Sequence, residues 1–428
     1  MRRWRYPIVV VPIVVVPVVL ATALAGCGGA PAVPTLTAQV ARAQPGATAP
    51  VADAVRGVTG LGHQLATSAF PAGDNVVFSP LSISVAFAMA RAGAGGATAA
   101  QLDQVFGFPK DGRDDAYNAI TRQVVTADVP PAKPHGKRTP GPPRPPVVCL
   151  GNALFPQQGL PIGEPFLRTL AAQYGAGVHP VDFGGGRATD PINQWVRQQT
   201  AGRITRLFDK LDGSTRLVLA NTVYLRADWD HDLFAEEPVT DAPFTRTDGS
   251  QVAVPTMGAA GELRYASAGG WQAVELPFAG GQLAMRVLLP PPGQPPSTML
   301  APQTMTAVGA GLQKRDLSLA LPRWNVATDL DLGVALRHLG LTAPFQPDAD
   351  FSGISAGLFV QQAVHRATIT VDEWGTEAAA VTGLAFGSAG KIPPPLRVDV
   401  NRPFAFAIVH TATGAPLFLG QVTDPSKH

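Results

Sequence analysis

Residues 359–371, FVQQAVHRATITV, alternate as a half-buried strand does, and the chain then passes into VDEWGTEAAAVTG. β-Branched residues and an apolar set at every second position predict a strand. Phe359, Ala363, His365, Ala367, Ile369 and Val371 share one of its faces. The row of small residues from Gly375 to Gly383 fits neither ordinary continuation. Its side chains are too small to anchor a core, and its composition is not that of a plain turn. Only beyond it does LAFGSAGKIPPP read as an exposed loop. The fold must therefore accommodate a segment that belongs to neither class.

Around this feature the pattern is that of an α+β chain. Val51, Val55, Val58, Leu61 and Leu65 recur at helical spacing. NVVFSP is a short strand, after which Ser79 and Pro80 open LSISVAFAMARAG as cap and first helical residue. Thr98 and Gln101 form a capping-box pattern ahead of LDQVFGF. RDDAYNAITRQVV and EPFLRTLAAQYG are further helices, and DPINQWVRQQT is one capped by Asp190. Strands are expected in STRLVLANTVYL, WQAVELPF, QLAMRVLLP and LSLALP, and one more capped helix, TDLDLGVALRHLG, ends on Gly340. With no repeat and no dividing linker, residues 51–428 are expected to form a single domain. A Pro-rich insertion at about 127–147 interrupts it. A hydrophobic content of 46% suffices for a large core, and a net charge of +2 gives no electrostatic case for nucleic acid.

Arg2, Arg3 and Arg5 precede the apolar run IVVVPIVVVPVVLATALAG. Pro7, Pro12 and Pro17 make this a poor spanning helix, so residues 1–27 read as an export signal. The run closes on LAGC, which resembles the bacterial lipobox. That resemblance implies lipidation at Cys27 and anchoring on the outer face of the cell membrane; the alternative is an ordinary signal peptide cut nearby. Residues 28–50 have the composition of a flexible tether. With Cys27 acylated, Cys149 has no intramolecular partner, and its setting VVCLGNALF predicts a buried inert thiol.

Catalytic motifs fade on inspection. GISAG at 353–357 fits the G-x-S-x-G pattern, but neither a buried strand before it nor a helix after it is expected. GSAGK lacks the Ser or Thr and the helix that a phosphate loop needs. The eight histidines show no metal-ligand spacing. Neither enzyme activity nor a metal or cofactor is expected.

Four stretches in order, NVVFSPLSISVAFAMARAGAGGAT, LVLANTVYLRADWDHDLF, AVHRATITVDEWGTEAAAVTG and VNRPFAFAIVHTATGAPLFLGQVTDP, resemble the serpin family. The resemblance runs over nearly everything from Val51 to Pro425. It implies a large central, mainly antiparallel sheet with further sheets, packed helices and an exposed reactive-centre loop at about 373–396. Ser79, Ser82, Asn221 and His365 would form a hydrogen-bonded cluster where the middle strands part, with Trp229 at the top of the opening.

Such a protein inhibits a serine protease as a suicide substrate. The loop is cut, then inserts as a new central strand, trapping the protease as an acyl-enzyme. The resemblance assigns the hinge to Glu373, Gly375, Thr376, Glu377, Ala378, Ala379, Ala380 and Thr382. Thr376, Ala378, Ala380 and Thr382 would point inward, all small enough to enter a packed core. Family members that do not inhibit commonly carry bulky or charged residues there, whereas Trp374 departs from the polar residue usual before the hinge glycine. Family spacing places the cut at Ala389–Gly390 counted forward, or Gly390–Lys391 counted back from IPP. A small residue at the cut suits elastase-like or subtilisin-like serine proteases, and a further slip to Lys391 would suit trypsin-like ones. Activity across classes on a cysteine protease is an extension of the same reading, and a monomer is expected. The alternative is a non-inhibitory serpin-fold binding protein, cut only as a substrate. Lys133, His135, Lys137, Arg138 and Arg144 in the Pro-rich loop read as a polyanion site or as a solvated insertion.

Overall fold

The helical first third holds α1 (Val51–Ser68), α2 (Pro80–Arg91), α3 (Gly96–Phe106) and α4 (Arg113–Val124), with the strand β1 (Val76–Phe78) ahead of α2. β2 (Val147–Pro156), α5 (Glu164–Thr169), α6 (Thr189–Gln199) and β3 (Leu217–Asp228) follow. Next come β4 (Thr240–Thr245), β5 (Gln251–Ala268), β6 (Trp271–Pro277), β7 (Leu283–Leu289) and α7 (Pro302–Gly311). β8 (Gln313–Pro322), β9 (Trp324–Asp331), α8 (Leu332–His338) and β10 (Gln362–Val371) lead to β11 (Gly375–Thr376). β12 (Leu396–Asp399), β13 (Phe404–His410) and β14 (Pro416–Val422) close the chain. This computed structural model describes residues 34–131, 142–230, 233–234, 238–376 and 395–427.

Two sheets result. Nine strands run β1-β14-β13-β7-β6-β5-β8-β12 with β4 beside β5, and five strands form the second sheet, β2-β3-β10-β9 with β11 on β3. In the second sheet β2–β3, β10–β9 and β11–β3 are antiparallel, and only β3–β10 is parallel. That matches the mainly antiparallel sheet expected. α2 lies beneath this sheet against β2 and β3, and α6 covers its other face through Ile192, Trp195 and Val196. Every residue of α2 from Pro80 to Ala90 is buried, as a helix apolar on all sides must be. Ser79 caps it by accepting from the Ser82 amide (3.1 Å), with Pro80 as its first residue.

Several local expectations need correction. α3 starts at Gly96 with Gly95 as its cap, so Thr98 and Gln101 are not a capping box. They hold a distant segment instead: Thr98 Oγ1 accepts from the Asp350 amide and Gln101 Oε1 from those of Thr342 and Ala343. α6 begins at Thr189, which leaves Asp190 in its first turn rather than at the cap. Thr328–Asp331 belong to β9, and α8 is only Leu332–His338, capped by Asp331 on the Val334 amide. β9 alternates buried and exposed residues to its end, so strand pairing with β10 wins over the helix signal. Phe359 is half-buried and precedes β10.

The tether expected over 28–50 is, in its described part, a strap held on the domain. Leu36 exchanges backbone hydrogen bonds with Val178 (2.8 and 2.9 Å). Arg42 donates to Asn118 Oδ1 (3.0 Å) and Thr121 Oγ1 (2.6 Å), and the Gly46 amide donates to Asp115 (2.9 Å). Composition reports an average tendency; it does not see that these groups find fixed partners on α4.

Candidate functional site

β10 pairs with β3 from Gln362↔Val218 to Arg366↔Thr222, and above this the two strands part. Ala367–Val371 continue on β9 and Val223–Arg226 on β2, so each strand turns an edge toward a cleft between them. Val223, Leu225, Thr368, Thr370 and Thr376 line a cavity of about 20 Å³ there, and Ile204 from the segment after α6 covers it. This holds about one water and no side chain.

His365 sits at the last rungs below the parting, fully buried and directly opposite Asn221. Its Nε2 accepts from the Ser79 amide (3.0 Å), which leaves the ring hydrogen on Nδ1 for donation to Asn221 Oδ1. Asn221 Nδ2 in turn donates to Ser82 Oγ (2.8 Å) and to Asn152 Oδ1. Ser82 Oγ donates to the Thr222 carbonyl (3.3 Å). Burial pushes the imidazole pKa down to about 3, so the ring is neutral at any physiological pH. The network ties α2, β2, β3 and β10 together, and its His365–Asn221 bond crosses between the two strands that part above it.

At the top, β10 turns through Glu373 and Trp374 into β11 by a tight reversal closed by Asp372 and Gly375, which exchange backbone bonds (3.1 and 3.2 Å). β11 then pairs antiparallel with β3, Gly375↔Asp228 and Thr376↔Ala227. Gly375 has φ +136°, and a Cβ there would lie 2.1 Å from the Ala227 carbonyl oxygen, so only glycine fits. Thr376 is buried, and its Oγ1 accepts from the Ala227 amide (3.0 Å). The first small residue after the bend is thus already between the upper ends of β3 and β10.

Trp229 closes this opening. Its indole stacks on Phe278 (4.7 Å between centroids) and donates to the Asp372 carbonyl (2.8 Å), while its amide donates to the Trp374 carbonyl (3.1 Å). Arg323 holds the buried Glu373 in an ion pair (2.6 Å).

Ser79, Ser82, Asn221 and His365 therefore meet in one network, with Trp229, Glu373, Gly375 and Thr376 above it. Glu377, Ala378, Ala379, Ala380, Thr382, Ala389, Gly390, Lys391 and Cys27 lie outside the described residues, as do Lys133, His135, Lys137 and Arg138. Arg144 is engaged by Asp228, which removes it from the group offered to a polyanion. Sequence reasoning missed Asn152, Arg323 and Asp228. Asn152 alone left a signal, a polar residue inside an apolar strand. Ser355 of GISAG lies in a loop between two turns and Cys149 is buried with its thiol pKa pushed up to about 12 by burial, so neither is set up as a nucleophile. Among the described residues no cluster of three acidic, histidine or cysteine side chains is placed to hold a metal.

A buried histidine network lies below the point where β3 and β10 part, and a small-residue strand starts above it beside β3. The chain belongs to the serpin family: the family model described as serpin (serine protease inhibitor) matches residues 59–425. Neuroserpin of Homo sapiens is 31% identical over 370 residues, covering 82% of this chain and 86% of that one. Leukocyte elastase inhibitor A of Rattus norvegicus is 34% identical over 381 residues, covering 85% and 96%. The crystal structure of tengpin, a thermophilic serpin in its native state, shares the fold with a TM-score of 0.78 over 91% of this chain and 97% of that one, at 24% identity. Serpins are protease inhibitors or, in some members, binding proteins, and not enzymes. Among the described residues no helix is long and apolar enough to cross a membrane.

Proposed function

We propose that this chain inhibits serine-type endopeptidases as a suicide substrate. The observation that carries the reading is Thr376, buried and in register on β3 beside a cleft that no strand among the described residues fills. Carrying that register on by twos puts Ala378 opposite Leu225, Ala380 opposite Val223 and Thr382 opposite Asn221. Thr382 then arrives beside His365, where the bond between His365 and Asn221 must open to let a strand pass. Each inward residue is small, as a strand entering a packed sheet requires.

Cleavage at Ala389–Gly390, or one bond later, frees the loop while the protease is still esterified to the new carboxyl end. Serpin loop insertion is itself an established case of strand addition to a sheet. A strand of about ten residues, at ~0.5–1.5 kcal/mol for each net hydrogen bond, releases on the order of 10 kcal/mol. That is comparable with the stability of a whole domain and sufficient to distort an attached active site. The small residue at the cut favours elastase-like or subtilisin-like targets. Export, with a lipid on Cys27, would place the inhibitor on the outer face of the membrane.

The test mixes the chain from residue 28 onward with elastase, subtilisin, chymotrypsin and trypsin. Denaturing gels and the mass of the released C-terminal peptide are read. The expected result is a denaturant-resistant band at the summed mass with a peptide starting at Gly390 or Lys391. Clean cleavage by every protease with no such band contradicts inhibition and favours the binding-protein alternative.

A further inference from the structure

The Pro-rich insertion returns to the fold through Pro142, Pro143, Arg144, Pro145 and Pro146, and Arg144 reaches the gate. Its backbone N–H and Nε both donate to Asp228 Oδ2 (2.8 and 3.0 Å), and its Nη2 donates to Oδ1 (3.0 Å). Prolines carry no N–H, so Arg144 has the only backbone donor from 142 to 146, and Asp228 takes it. The proline after Arg144 also keeps it extended, which presents the guanidinium fork and the amide on the same side as one grip.

Asp228 is the last residue of β3, and its side chain is 3% exposed. A carboxylate so buried must be paired or pull out toward water. Its backbone is what the hinge rests on: it pairs with Gly375, and the next residue, Trp229, binds Trp374 through its amide.

We infer that Arg144 is a positioning residue for loop insertion, fixing through Asp228 the first rung on which the incoming strand registers. The inference rests on the inhibitory reading for its consequence, though not for the grip itself. With the Arg144 side chain removed, Asp228 loses the two guanidinium bonds, and the upper end of β3 is held less firmly. The first rung is weakened, and the cut loop inserts more slowly. More acyl-enzyme is then hydrolysed before it is trapped.

The experiment compares wild type, Arg144→Lys and Arg144→Ala in two measurements. In the uncut protein, hydrogen exchange at the Trp229 amide, which donates to Trp374, is expected to speed up by about tenfold in Arg144→Ala. Both variants keep the backbone N–H, and Arg144→Lys, which also keeps the charge but not the fork, falls between. Unchanged exchange in both variants overturns the grip, whatever else is seen. The second measurement is the number of inhibitor molecules cut for each protease trapped. It should rise severalfold in Arg144→Ala, less in Arg144→Lys, with the rate of the initial cut unchanged. A loss of heat stability without that rise overturns the role in insertion and leaves a purely structural ion pair. If wild type traps no protease, the inhibitory reading fails instead, and the exchange measurement alone decides the grip.

Discussion

The only N–H of the His365 ring already goes to Asn221, so a second proton would sit on Nε2 and displace the Ser79 amide. The unfolded chain meets no such obstacle and takes that proton near pH 6.5. The stability due to neutral His365 is therefore complete above about pH 6.5 and drains as pH falls toward 3, by ~1.4 kcal/mol per unit. Asp372 acts with the opposite sign. Burial, with Glu373 alongside, raises its pKa to about 6, so its contribution is full below pH 3.8 and is lost as pH rises through 6. The His365 share is isolated by denaturant titration of wild type and His365→Ala. Wild type should lead by about 3 kcal/mol at pH 7.5, from two buried groups left unpaired in the variant, and the lead should shrink below pH 6.5. A lead that does not change with pH would contradict a buried neutral imidazole. His365 was legible because alternation along a strand is local. Asn152, the partner of Asn221, was not placed, because only the β2–β3 register brings the two together.

At the scale of elements, β11 is two residues long and yet sets the course of the strand to come. Thr376→Arg places a long cation where Thr376 is now buried on β3, so the hinge should leave the cleft in the uncut form. The same charge must enter the sheet core during insertion, so the variant should become a substrate, cut at the wild-type rate but trapping less than a tenth as much protease. Densitometry of the denaturant-resistant band checks this, and unimpaired trapping would contradict insertion in this register. Legibility of the elements follows the same division between local and long-range. α2 was readable from a cap, a proline and an apolar run in sequence. β5 was not, since Pro255, Gly258 and Gly261 break its strand signal while pairing with β8 and β6 holds it. The grip of Arg144 on Asp228, between residues 84 apart, leaves no local trace at all.

For the whole molecule, inhibition by insertion requires an uncut chain that stops short of its most stable arrangement. Among the described residues the five-stranded sheet keeps a gap between the upper ends of β3 and β10; the strand proposed to enter it begins at Gly375–Thr376 on β3, and the chain resumes toward β12. In the proposed mechanism, cutting the loop frees the segment that follows β11 to enter this gap. The most direct measurement cleaves the loop with a protease that does not become trapped, then records thermal unfolding of cut and uncut protein with hydrogen exchange along Val223–Arg226 and Ala367–Val371. The account predicts that the cut form melts far higher and that amides facing the cleft on both strands become protected. Equal melting temperatures with exchange unchanged at the cleft would show that no strand enters between β3 and β10, and the central claim would be wrong.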